Sequence, residues 1–229
     1  MNKRQQAGKY IEGIFVRELK NRFLCEVVIN GVVKECYVPS SCHLSNFLNL
    51  KGKKVLLVET QTKNSRTEHA LFAVPFKKNF LMLNISLANR AIEKSLKSRK
   101  FAFLGDRKEC YIEHKIEGYK ADIYISNTNT IIEVKSVIST NNEAVFPTVY
   151  SERTQNQLEK LQKLLESGYK ACFMIVSMNP YLKKVQIDKK TEFYRELIKC
   201  IEKGLSVKAY TCFLGENGIE IKKEITLDL

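Results

Sequence analysis

Residues 120–137 read KADIYISNTNTIIEVKSV, two short apolar runs fit for β-strands around a polar Asn/Thr turn. Asp122 opens the first run, and Glu133 and Lys135 interrupt the second. Charges inside strands fit for burial cost free energy unless partners compensate them. The fold must therefore bring compensating groups to this place. Residues two apart on a strand share a face, so Glu133 and Lys135 project together while Val134 turns away. An antiparallel return through the turn carries Asp122 to the same sheet edge. Two carboxylates and an ammonium then converge. Hard carboxylate oxygens can hold a divalent cation such as Mg2+, which can activate a water for attack on a phosphodiester, and a nearby lysine can stabilise the phosphorane. The competing reading is a solvated ion pair at Glu-x-Lys with Asp122 as a turn residue.

The first part of the chain, to about Phe76, reads as all-β. RFLCEVVI, Asn30-Gly31 and VVKECYV form a hairpin signature, because Asn-Gly accepts the positive φ angles of a tight turn. YIEGIFVREL upstream, and KKVLLVETQ and EHALFAVPF downstream across the polar TKNSR, add three strands. Five short strands in about 75 residues suit an OB-like barrel, whose open face commonly binds oligonucleotides, and an SH3-like barrel fits nearly as well. After a change of pattern near Phe76 to Leu81, helices appear. SLANRAIEKSL places Leu87, Ala91, Ile92 and Leu96 on one face, with Ser86 as N-cap. SERTQNQLEKLQKLLESG is a second helix, capped by Ser151 and ended at Gly168. TEFYRELIKCIEKG is a third, ending at Gly204. A buried strand KACFMIVSM and a last strand LSVKAYTCFL alternate with them, which implies α/β architecture with some parallel pairing. The expected organisation is a two-domain α+β or α/β chain, a barrel over residues 1–78 and a mixed sheet flanked by helices over 79–229.

The formal net charge is +13, and the first 77 residues hold 13 Lys/Arg against 6 Asp/Glu. A polyanion is the natural partner for such an excess. On the barrel, Arg17, Lys20, Arg22, Lys53 and Lys54 are the candidates to grip a sugar-phosphate chain, with Phe23 or Tyr37 to stack on bases. No apolar run approaches a membrane span, and no secretory signal follows the N-terminus. The seven cysteines are odd in number and include no C-x-x-C pair, which argues against a disulfide framework or zinc site and for a reducing cytoplasm. His43, His69 and His114 are scattered and receive no role.

The ordered set FVRELKNRFLCEVVINGV, YVPSSCHLSNFL, LNISLANRAIEKSL, KADIYIS, IIEVKSV, AVFPTVYSERTQNQLEKLQ and GYKACFMIVSM resembles the sugar fermentation stimulation protein A family. The Asp…Glu-x-Lys arrangement likewise resembles the PD-(D/E)xK nuclease superfamily. The resemblance covers the chain to about Met178. It implies an N-terminal OB-like domain, a nuclease-like second domain, DNA binding and a link to regulation of sugar use. Asp122, Glu133 and Lys135 match the motif acids and lysine. Glu93 matches a helical glutamate that can join the metal site, and Arg153 and Gln155 match residues that open the helix after the sheet, where backbone N–H groups suit a scissile phosphate. The chain departs from the family at Ser40, Ser41, Cys42 and His43 after Pro39, at Thr148 and at Thr154.

The resulting expectation is a cytoplasmic DNA-binding protein with a phosphodiester-hydrolysing site. Its catalytic residues are Asp122, Glu133, Lys135 and Gln155, and its Mg2+ or Mn2+ ligands are Asp122, Glu133 and Glu93. RNA is the alternative polymer, and a homodimer is left open. The rival expectation is a non-catalytic DNA-binding transcriptional regulator on a nuclease-like fold. A sugar-metabolising enzyme has no supporting motif, since no Gly-rich phosphate loop, nucleophile elbow or kinase signature occurs.

Overall fold

The computed structural model describes residues 10–39, 43–46, 48–60, 65–148, 150–216 and 218–229. The departures at Ser40, Ser41 and Cys42, and part of the TKNSR tract, lie outside the described residues.

Five strands close into a barrel: β1 (Ile11–Glu18), β2 (Leu24–Ile29), β3 (Val32–Tyr37), β4 (Lys54–Glu59) and β5 (His69–Phe76). Antiparallel pairs β2–β3, β1–β2, β1–β4 and β4–β5 form the wall, and a parallel contact between Tyr37 of β3 and Ala70 of β5 closes it. This is the OB-like arrangement. Asn30 and Gly31 take φ of 50° and 79°, so the expected tight turn joins β2 to β3. Phe15, Val27, Leu57 and Leu71 fill the interior. At Gly13 the wall approaches so closely that an added Cβ would stand 2.4 Å from Val27 Cγ1 and 3.0 Å from the Val28 carbonyl oxygen. A sixth strand, β6 (Asn79–Met82), pairs with β5 and extends this sheet past residue 78.

The second sheet has eight strands: β7 (Cys110–Ile116), β8 (Tyr119–Ile125), β9 (Thr130–Val137), β10 (Glu143–Phe146), β11 (Lys170–Ser177), β12 (Lys184–Ile187), β13 (Ser206–Gly215) and β14 (Gly218–Asp228). Their order is β10-β12-β14-β13-β11-β9-β8-β7. β9, β11 and β13 run parallel at the centre, while β7, β8 and β14 supply antiparallel pairs. Helices α2 (Glu152–Glu166) and α3 (Glu192–Glu202) pack on one face through Leu158, Leu161 and Leu197. Helix α1 (Leu87–Ser95) packs on the other through Ala91 and Ile92. That second core is shared with the barrel, since Phe72 and Met82 join Ile132 and Met174 in it. The Met82 N–H also donates to the Met178 carbonyl at 3.3 Å.

The expected helices are present, and Ser151 caps α2 by accepting from the Thr154 N–H. Ser86 does not cap α1. Its own N–H and hydroxyl both donate to Asn84 Oδ1, at 3.0 and 2.7 Å. The strand at LSVKAYTCFL is not the last, because β14 follows it as a hairpin partner. Lys222, Lys223 and Glu224 interrupt the apolar alternation of β14, which hides it from a pattern reading. Among the described residues, no helix is long and apolar enough to cross a membrane.

The close approach at Gly13 makes a direct prediction. Gly13→Ala forces Val27 and the β2 backbone aside and destabilises the chain by about 1–3 kcal/mol, measured as a lower midpoint in urea unfolding. A Gly31→Ala control tests turn conformation instead, because nothing lies within 4 Å of its added Cβ.

Candidate functional site

The pairing of β8 with β9 runs from Ile125↔Thr130 through Ile123↔Ile132 and then stops. Beyond that point the Asp122 side chain takes over, because its Oδ2 accepts the Val134 N–H at 2.8 Å. A carboxylate therefore occupies the place of a ladder carbonyl, and the two strands part around it. Its other oxygen, Oδ1, accepts from Asn89 Nδ2 on α1 at 3.0 Å. Asp122 is thus held from both sides and remains part of the wall of an open cleft.

Glu133 lies beneath this opening with a side chain only 1% exposed. Its Oε1 accepts from Lys135 Nζ and from Gln157 Nε2, each at 2.7 Å. Its Oε2 accepts from the Tyr119 hydroxyl at 2.5 Å. Lys135 Nζ also donates to Gln157 Oε1 at 2.7 Å, closing a ring among Glu133, Lys135 and Gln157. Burial pushes the Glu133 carboxyl above its ordinary range. The Asp122 charge adds to that shift, while Lys135 and the Tyr119 hydroxyl oppose it. Burial, reinforced by Glu133, drives the Tyr119 hydroxyl far above the usual phenol range, so it serves as a donor.

A cleft of about 570 Å³ opens above these groups. Tyr119, Lys120 and Asp122 from β8 line one side, and Arg153, Gln157 and Lys160 from α2 line the other. The α2 residues recur at helical spacing, so one face of the helix looks onto the cleft. Cations and acids alternate around the rim, where Glu113 pairs with Lys120 at 2.6 Å.

The structure brings Asp122, Glu133, Lys135 and Arg153 to one place, but it does not bring Gln155. That residue sits two positions from Gln157 on α2, on the other side of the helix. It is 8% exposed, and its Oε1 accepts from the Tyr150 hydroxyl at 2.7 Å. It lines a separate 280 Å³ pocket with Thr148 and Phe193. Gln157 takes the place expected for Gln155, because Arg153 and Gln157 are four apart and share a face. Glu93 is exposed on α1, one turn beyond Asn89, and does not line the cleft. Among the described residues, no three of His, Cys, Asp and Glu gather as a metal-holding group. Asp122 lines the cleft directly, whereas Glu133 and Lys135 reach it only through Gln157.

On the barrel, two of the expected phosphate-gripping side chains already have acidic partners. Arg17 makes a two-pronged contact with Glu26 at 2.8 and 3.0 Å, and Lys54 pairs with Glu12 at 2.9 Å. The Arg22 guanidinium lies 4.8 Å from the centre of the Phe23 ring, and Phe23 stacks near Tyr37. Lys20 and Lys53 are exposed. Sequence reasoning missed Tyr119, Gln157 and Asn89. The spacing from Arg153 to Gln157 and Lys160 was a legible signal for Gln157. Tyr119 and Asn89 read as ordinary strand and helix residues.

The family described as "Sugar fermentation stimulation protein RE domain" matches residues 86–218. The chain belongs to this family. A sugar fermentation stimulation protein homolog of Caldanaerobacter subterraneus subsp. tengcongensis is 29% identical, over 96% of this chain and 97% of the relative. One from Natranaerobius thermophilus is 27% identical, over 91% and 90% of the two chains. The solved structure of Pyrococcus furiosus SfsA in complex with Ca2+ superposes with a TM-score of 0.78, at 19% identity over 97% of each chain. That likeness shows that the two chains share one fold, barrel and second sheet together.

Because Glu133 is so deeply buried, its ring should govern stability. Lys135→Met leaves a buried carboxylate without its cation and destabilises the protein by about 3 kcal/mol at neutral pH. Adding Glu133→Gln to that variant recovers most of the loss. Urea unfolding of the two single variants and the double variant measures both effects, and a simple sum of the single-variant effects would mean that the two side chains are not coupled.

Proposed function

We propose that this chain binds nucleic acid, DNA first and RNA as the alternative, and hydrolyses its phosphodiester bonds with Mg2+ or Mn2+ at Asp122 and Glu133. The observation that carries the reading is the parting of β8 from β9 at Asp122, with Glu133 and Lys135 beneath it and an open cleft above. The donor set fits a small divalent cation, which favours one or two carboxylates and completes its shell with water and substrate phosphate oxygens. When bound, the cation would lower the pKa of a water and offset charge on the phosphoryl oxygens. Arg153 and Lys160 hold the phosphate chain along α2. Lys135 places an ammonium beside Glu133 to stabilise charge as the water oxygen bonds to phosphorus and the ester oxygen leaves with a proton. Tyr119 and Gln157 fix the Glu133 carboxylate in one orientation, so little reorganisation accompanies the reaction. The Ca2+ reported with the Pyrococcus protein is in keeping with an oxygen-lined cation site in the family. The link to regulation of sugar use rests on the family name.

A second reading has its own observation. Glu133, Lys135 and Gln157 satisfy one another in a closed ring, as a structural ion pair would. On that reading the protein is a non-catalytic DNA-binding regulator. One experiment separates the two. Purified protein is incubated with labelled single- and double-stranded DNA and RNA in Mg2+, in Mn2+ or in chelator. Hydrolysis should require the cation and fall about 10²–10³-fold in Asp122→Asn and Glu133→Gln, while binding persists. Binding without cleavage on every substrate would decide for the regulator.

A further inference from the structure

Three aromatic rings stand in a row on the edge of the second sheet, outside the groups that handle the phosphate. Tyr124 of β8 lies two residues along the strand from Asp122, and its ring packs against the core on the α2 side of the sheet. Tyr111 of β7 is its cross-strand partner. Between Ile112 and His114 the edge strand is kinked at Glu113, whose φ is +52°. The His114 ring falls between the tyrosines, with its centroid 5.2 Å from each and nearly parallel to Tyr124, at 7°. The Tyr124 hydroxyl donates to Asn129 Oδ1 at 2.8 Å, which fixes the inner ring. The outer ring is open, with Tyr111 45% exposed.

The three rings stand beside the cleft rather than in its wall. Glu113 and Lys120, on the two strands that carry the rings, both line it. Lys115 and Lys120 face each other across the same pair of strands. Flat π-faces beside cations, two residues along a strand from Asp122, match the chemistry of an unpaired nucleobase. A second copy of the chain would favour the unpaired backbone of β7, yet the groups presented here are rings rather than a flat aliphatic edge.

We infer that Tyr111, His114 and Tyr124 form a stacking platform for an unpaired base of a nucleic-acid strand whose phosphate lies in the Asp122 cleft. This rests on the nucleic-acid reading above and adds a preference for single-stranded or locally unpaired substrate. Sequence tolerance follows, because every base offers a π-face.

The test uses the full chain, in chelator so that no strand is cut, and a single-stranded DNA oligonucleotide carrying 2-aminopurine. Binding should quench the fluorescent base. Tyr111→Ala should remove the quenching and weaken single-strand binding by roughly tenfold, with an unchanged slope of affinity against salt, since no phosphate contact is lost. Tyr111→Trp should restore both. Lys160→Ala should instead lower the salt slope and leave the quenching of bound strand intact. Wild-type affinity and quenching in Tyr111→Ala would overturn the platform, as would failure of the wild type to bind single strands. A sedimentation shift to monomer in Tyr111→Ala, with binding unchanged, would also overturn it and assign the patch to a contact between copies. The two proposals fail separately. Stacking without cation-dependent cleavage removes only hydrolysis, and cleavage that ignores Tyr111 with no quenching removes only the platform.

Discussion

The site depends on one buried charge. Glu133 is almost wholly withdrawn from water, and a carboxylate in that setting is tolerated only when donors surround it. Those donors come from three elements: Tyr119 at the start of β8, Lys135 on β9 and Gln157 on α2. Satisfying Glu133 therefore fixes the helix against the sheet and sets the width of the cleft between them. Burial raises the affinity of this carboxyl for a proton, and by the same electrostatics an additional cation nearby would stabilise its charged form. A structural requirement and a chemical opportunity meet in the same group.

Asp122 contributes differently. By accepting the Val134 N–H it replaces a ladder hydrogen bond, so the parting of the strands leaves no orphaned donor. The gap in the sheet is compensated locally, which is why a central strand can open without loss of order. The shared core beneath α1 joins barrel and sheet, so both surfaces that could meet a polymer belong to one packed framework. The Arg17–Glu26 and Lys54–Glu12 pairs draw two barrel cations into intramolecular contacts. These exposed pairs contribute little to stability, and an incoming phosphate would compete with the acids at small cost.

Much of this was legible in the chain, for reasons that can be named. The Asn30-Gly31 turn, the strand alternation and the leucine spacing of α2 are local features, and each reports a backbone preference within a few residues. The acids and lysine of 120–137 stood out because their apolar surroundings demanded compensation. Gln155 came from the resemblance, which matches positions along the chain, whereas the face that looks onto a cleft is known only once the helix is docked. β14 was hidden because Lys222, Lys223 and Glu224 are exposed in the middle of a strand whose isoleucines are buried.

By itself the sequence determined the barrel followed by a mixed sheet with helices and the surplus of positive charge, and it singled out Asp122, Glu133 and Lys135 as charges in apolar strands. These follow from spacing and composition, which act along the chain. Tertiary structure alone decided that Tyr119 and Gln157 complete the Glu133 ring, that Glu93 stays outside the cleft, and that Tyr111, His114 and Tyr124 align beside it. Each of those outcomes depends on which faces of separate elements meet, and burial and hydrogen-bond satisfaction set that only after the elements have packed.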